Sequence, residues 1–191
     1  VLGIIMFVSL DVFGATIVAL DMGDLVSNVD VIAFGSVIST KVVVHPKYGI
    51  QTKVDVEIYD GLLGAKQRDI LNVIVPGGKL SDTIVAEVPG APVLKAGDRF
   101  FAFLERRGNH FVPWGLGFGW LKARQDPTNG VIRLFRELDG LSVVSRSGEK
   151  IVPSRFAVRG VTLEDFRERV KVYLQIGNQV IEPSGTQGGV R

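Results

Sequence analysis

The stretch RFFAFLER, residues 99–106, limits what this chain can fold into more than any other. A strand sends alternate side chains to opposite faces. One face would carry Phe100, Ala102 and Leu104, and the other Phe101 and Phe103 before Glu105. Neither face can meet water without stranding large aromatic area. The strand must therefore lie at the centre of a sheet covered on both sides, or in the wall of a closed barrel with something packed outside it. These phenylalanines are expected as core. A chain of 191 residues with 46% hydrophobic and 22% charged residues has the apolar content for such a core within one domain.

The neighbouring segments read as strands and turns. In VIAFGSVISTKVVVHP, Ile32, Phe34, Ile38, Val42 and Val44 fall on one side of a period-two pattern, and Gly35 predicts a bulge or sharp bend. The turn HPKYG leads into IQTKVDVEIYDG, where Thr52, Val54, Val56 and Ile58 alternate against polar residues, so the pair reads as a long hairpin. DILNVIVP is a third strand, and PGGKLSDT opens a wide hairpin loop. WGLGFGWLKA reads as a strand with Gly115, Gly117 and Gly119 on one face, a pattern that lets a neighbouring backbone approach closely. DPTNG turns the chain back through VIRLFREL.

Helix signals are few. GDLVSNVD is a short helix-like segment near the amino terminus. Later, Thr162 can cap a helix, Glu164 and Asp165 suit its positive end, and Leu163, Phe166, Val170, Tyr173 and Leu174 form an apolar stripe that Gly177 would end. The fold expected is mainly β: a small curled barrel over residues 16–160 with a carboxy-terminal strand extension, a helix over 161–177 and a flexible tail over 178–191. Residues 1–15, VLGIIMFVSLDVFGA, read as the end of a secretory signal peptide, an apolar run closing on small residues; a buried first strand is the other reading of the same letters. The run is too short to span a bilayer. Export to the periplasm or the medium is the expected destination.

Chemistry is restricted. The chain has no cysteine, which excludes thiol catalysis, disulfides and thiolate metal sites. Only His45 and His110 offer imidazole, neither with a spaced second ligand, and no serine sits in a strand-to-helix elbow. The glycines at 115–119 miss the dinucleotide spacing, and the Gly-Gly-Lys at 77–79 misses the phosphate-loop spacing. No catalytic residue, metal or cofactor is expected, and a binding protein is. Residues 1–30 carry four acids and no base, leaving all 22 Lys and Arg against 16 acids in the remainder. That excess permits an anionic partner without requiring one.

The layout LVSNVDVIAFGSV, a long hairpin ending in VEIYDGLLG, then VLKAGDRFFAFLERR resembles the netrin-like module of tissue metalloproteinase inhibitors, an OB-type barrel. It also resembles a set of uncharacterised bacterial exported proteins with the same layout, over roughly residues 20–123. The resemblance implies an OB-like barrel that binds another protein, an extracellular protease among the candidates. The inhibitors' amino-terminal cysteine has no counterpart here, so no inhibitory residue carries over. The rim candidates are Arg106, Arg107, Asn109 and His110 at a Gly108 turn, with Trp114 just beyond, either as the aromatic anchor of a contact or as a plug for the barrel end. Two other functions stay open: a barrel binding an anionic polymer, polysaccharide or nucleic acid, and a hydrolase without a recognisable motif. The leader reading predicts a mature chain starting within a few residues of Ala15; amino-terminal sequencing of exported protein checks it, and an intact leader on the mature chain would refute it.

Overall fold

The computed structural model describes residues 16–136, 138, 141–151 and 158–181, with side chains to residue 177. The leader expected over 1–15 and the tail beyond residue 181 lie outside the described residues. In chain order the elements are β1 (Thr16–Val18), α1 (Met22–Ser27), β2 (Val31–His45), β3 (Gly49–Leu63), β4 (Ile70–Pro76), β5 (Gly78–Lys79), β6 (Val85–Ala86), β7 (Arg99–Arg107), β8 (His110–Pro113), β9 (Trp120–Gln125), β10 (Ile132–Phe135), β11 (Ser142–Val144), β12 (Lys150–Ile151), β13 (Arg159–Thr162) and α2 (Leu163–Ile181). The chain is mainly β, with a short helix near its amino terminus and one long helix near its carboxy terminus, as the sequence predicts.

Eight strands form one mixed sheet in the order β13-β10-β9-β7-β2-β3-β4-β8. β8 also pairs with β7, so β7, β2, β3, β4 and β8 curl into a partly closed ring. The closing seam is narrow: β4 and β8 run parallel and are in register only at Val73 and Phe111. Two smaller sheets, β1-β11-β12 and β5-β6, complete the strand pairing.

The strand RFFAFLER is covered on both sides. Phe100, Ala102 and Leu104 join Val31, Ala33, Val54, Val56, Ile58 and Val73 inside the ring. Phe101 and Phe103 point outward into a second core with Leu25 of α1, Leu134 of β10, and Phe166 and Val170 of α2. Phe100 stacks on Trp120 with centroids 4.2 Å apart, and Phe101 meets Phe166 edge-on at 5.1 Å. Arg167 adds an ion pair to Asp60 of β3 at 2.8 Å, tying α2 to the ring wall.

The long hairpin of β2 and β3 forms as expected, but its period is not uniform. The β2–β3 register shifts between Val37 and Ser39, where Ile38 is the extra residue. The face of Ile32 and Phe34 therefore does not continue to Val42. Ile38 and Val44 are 45% and 62% exposed, while Val37 joins the inner core. Gly35 lies at another shift, and a Cβ there would fall 2.2 Å from the Glu57 carbonyl oxygen, so only glycine lets β3 come this close.

Two further sequence expectations are corrected. The segment at 115–119 is no strand: Leu116–Gly119 is a 3-10 turn entered through Gly115 at φ 61° and Leu116 at φ 56°. Gly119 is needed because a Cβ would stand 2.3 Å from the Trp114 carbonyl oxygen, a tight turn whose residue types look like strand alternation over so short a run. Gly177 does not end the helix, and residues 178–181 continue it in place of the expected tail. A lone glycine costs a helix about 1 kcal/mol relative to alanine but removes no backbone donor. Thr162 caps as read, its Oγ accepting from the Asp165 amide at 3.1 Å.

The two-sided strand yields a stability prediction. Phe101→Ala should lower stability by about 3 to 5 kcal/mol, and Gly35→Ala by about 1 to 3 kcal/mol because the new methyl meets backbone. Denaturant titration measures both; a loss near zero for Phe101→Ala would mean that the strand is not packed on its outer face.

Candidate functional site

Four of the five sequence candidates sit together at the β7–β8 turn. Arg107 and His110 are paired across the two strands, and Gly108 makes the reversal at φ 64° with open space where a Cβ would be, so glycine serves the backbone angle there. Alternation splits the basic residues. Arg106 lies on the inner side, its guanidinium 4.4 Å from the centre of the Phe111 ring at the ring's end. Its amide donates to Asp30 Oδ2 at 2.6 Å, which fixes the strand end to the segment after α1. Arg107 faces outward and pairs with Glu105 at 2.9 Å. His110 is half-buried and Asn109 exposed.

Trp114 is not with them. Its amide donates to the Phe103 carbonyl at 2.9 Å, and its indole packs against the outer core. Of its two sequence readings, the structure supports packing, against the outer core and not at the ring's end.

The turn's spatial partner is the tip of the β2–β3 hairpin. His45 Nδ1 accepts from the amides of Lys47 and Tyr48 at 3.1 and 3.2 Å, shaping the tip. The imidazole stacks on Tyr48 at 4.8 Å, and Lys47 Nζ sits 5.1 Å from the centre of the same ring. Tyr48 is nonetheless 61% exposed. Between tip and turn lies an open groove of about 380 Å³, bordered by His45, Gln51, Lys53, Asn72, Asn109 and His110. Lys41 is the cross-strand partner of Lys53, which places a second ammonium on the same face. Asp55 on that face is already engaged, accepting from Ser39 at 2.9 Å and Asn72 at 3.1 Å.

The sequence reading missed the hairpin tip as part of this site. The letters of HPKYG, an imidazole, a lysine and a tyrosine in one turn, were a signal, but its convergence with residues 109–110 depends on the ring's curvature. The groove thus has the Lys53 ammonium and two imidazoles at its border, with the partly exposed Tyr48 ring at the hairpin tip beside it. Among the described residues no group of three or more His, Cys, Asp or Glu could hold a metal ion, and no helix is long and apolar enough to cross a membrane.

Perturbed titrations lie elsewhere. Burial pushes the Arg136 guanidinium down to about 10, where it packs near Phe118 of the outer core. Asp126, in the turn after β9, is held below the usual carboxylate range by the hydroxyl and amide of Thr128.

The separation of Trp114 from the arginines predicts divergent variants. Trp114→Ala should cost about 3 kcal/mol. Arg106→Ala with Arg107→Ala, which removes one exposed cation–π contact and one surface ion pair, should cost about 1 kcal/mol or less. Thermal and denaturant unfolding compare the two, and equal losses would place Trp114 outside the core. No protein-family model, no curated protein and no solved structure matches this chain.

Proposed function

We propose that this chain is an exported, non-enzymatic binding module built on an OB-type barrel, and that the groove between the hairpin tip and the β7–β8 turn takes an anionic polymer. One observation carries the reading: His45, Lys53 and His110 come from three strands and border one groove, with Lys41 across from Lys53 and Arg107 across from His110. Cations clustered along a groove attract a chain of phosphates, sulfates or carboxylates through counterion release, and an exposed ring among them offers a stacking surface. A five-stranded ring left partly open suits an OB-type barrel, whose first hairpin loop and fourth connection are its usual binding loops. The two loops bordering this groove hold those positions. Fold alone is weak evidence of activity, so the cations bear the weight.

A protein partner, an extracellular protease among them, is the second reading. It would use Tyr48 and the two arginines as anchors. With Trp114 packed against the outer core, that surface has a single large exposed aromatic at its tip.

The test is fluorescence anisotropy with a labelled oligothymidylate of about twenty residues, run beside a labelled dextran sulfate. If about three anionic groups are neutralised, affinity should fall on the order of tenfold between about 50 and 200 mM salt. Lys53→Glu and the Arg106, Arg107 double alanine variant should each weaken both probes while the fold persists. Absence of binding to either probe at low salt would overturn the proposal, and salt-insensitive binding of a purified protein partner would favour the second reading.

A further inference from the structure

The hairpin has two faces, and the groove uses one. On the other, Thr40, Val42, Thr52 and Val75 floor a separate cleft of about 610 Å³ at the open end of the ring. Its roof is the segment 77–95, which carries the β5–β6 pair. That roof is fastened. The Gly77 amide donates to the Ile50 carbonyl at 2.9 Å, Thr52 Oγ1 donates to the Gly77 carbonyl at 2.8 Å, and the Gly117 amide donates to the Gly90 carbonyl at 2.8 Å. Gly78 and Gly90 press against their neighbours: a Cβ would stand 2.5 Å from Thr52 Oγ1 at the first and 2.5 Å from the Leu141 side chain at the second. Pro89 and Pro92 stiffen the chain between them. The space is thus preformed beneath a tethered cover.

Its chemistry is lopsided. Val42, Val85, Val88 and Pro92 present hydrocarbon, and Val75 and Leu94 behind them belong to the inner core, so the cleft continues the ring's interior outward. Thr52 has already spent its hydroxyl proton on Gly77. Water there finds few partners, and the volume is that of a small-molecule site. Charge enters only at the border. Lys79 is paired with Asp82 at 2.7 Å, whereas neither Lys95 nor Glu87 has an ion pair among the described residues.

We propose that this cleft binds a single-chain amphiphile, with its hydrocarbon body against Val42 and Val88 and a carboxylate head at Lys95. A wholly polar ligand would leave the valine floor uncovered and gain no donors inside. A wholly apolar one would leave Lys95 unused. Glu87 borders the same cleft, so the head must be seated at Lys95 alone, and this gives the two side chains opposite signs of effect. The inference is independent of the groove on the other face.

The full chain is titrated with dansyl-labelled undecanoic acid, which is then displaced by dodecanoate or dodecanol. Saturable, blue-shifted binding of one probe per chain is expected, with dodecanoate preferred over dodecanol by about two- to fivefold, as one exposed ion pair allows. Lys95→Met should bring the two to parity, and Glu87→Gln should widen the gap. Ala86→Trp, which fills the cleft, should weaken both ligands by about tenfold or more. Lys95 is exposed, so its variant reports even if Ala86→Trp fails to fold. The Arg106, Arg107 double variant should bind the probe as wild type does. No saturable binding, equal affinity for dodecanoate and dodecanol in the wild-type chain, or indifference to both Lys95→Met and a folded Ala86→Trp would overturn the proposal.

Discussion

Coverage of β7 on both faces is the constraint on which the rest of the molecule depends. Phe100, Ala102 and Leu104 need a closed interior, which the ring supplies, while Phe101 and Phe103 need an outer layer, which α1, α2 and β10 supply. Neither requirement can be met without the other, because alternate residues of one strand serve both cores. Each layer therefore stabilises the strand that positions the other. The turn carrying Arg106 through His110 begins where this strand ends, so its placement inherits the strand's rigidity.

The ring is closed at a weak seam. β4 and β8 share one register position, while β7 holds β8 over four residues. Closure thus comes chiefly from the tight β7–β8 hairpin folding back and from Phe111, 95% buried at the ring's end under the Arg106 guanidinium. The same fold-back carries Asn109 and His110 to the hairpin tip. The device that completes the ring also assembles the groove, so no separate loop is needed to build the site.

The long hairpin adds a second consequence of alternation. Past the bulge at Ile38 its side chains resume a strict period: Thr40, Val42 and Thr52 continue the ring's interior, and Lys41, Lys53 and Gln51 face the groove. One pair of strands thereby presents an apolar surface to one cavity and a cationic surface to another. A one-residue change in the bulge would exchange the two faces. Ile38 is the residue whose insertion determines which chemistry meets which cavity.

Much of the architecture was legible because it rests on local, periodic signals. The two-sided strand at 99–106, the half-buried alternation of Val54, Val56 and Ile58 and the Thr162 cap are each set by residues within a few positions of one another. Errors arose where neighbouring structure overrode a local pattern: the apparent glycine strand at 115–119 is a 3-10 turn, and Gly177 is bridged by the helix it seemed to end. The site was half legible. By itself, the sequence determined that Arg106 through His110 form an exposed turn, since Gly108 after a buried strand permits little else. Only the tertiary structure decided that Trp114 leaves them for the outer core and that His45, Tyr48 and Lys53 join them, because those placements follow from the curvature of five strands, which brings together segments far apart in the chain and which no local pattern encodes.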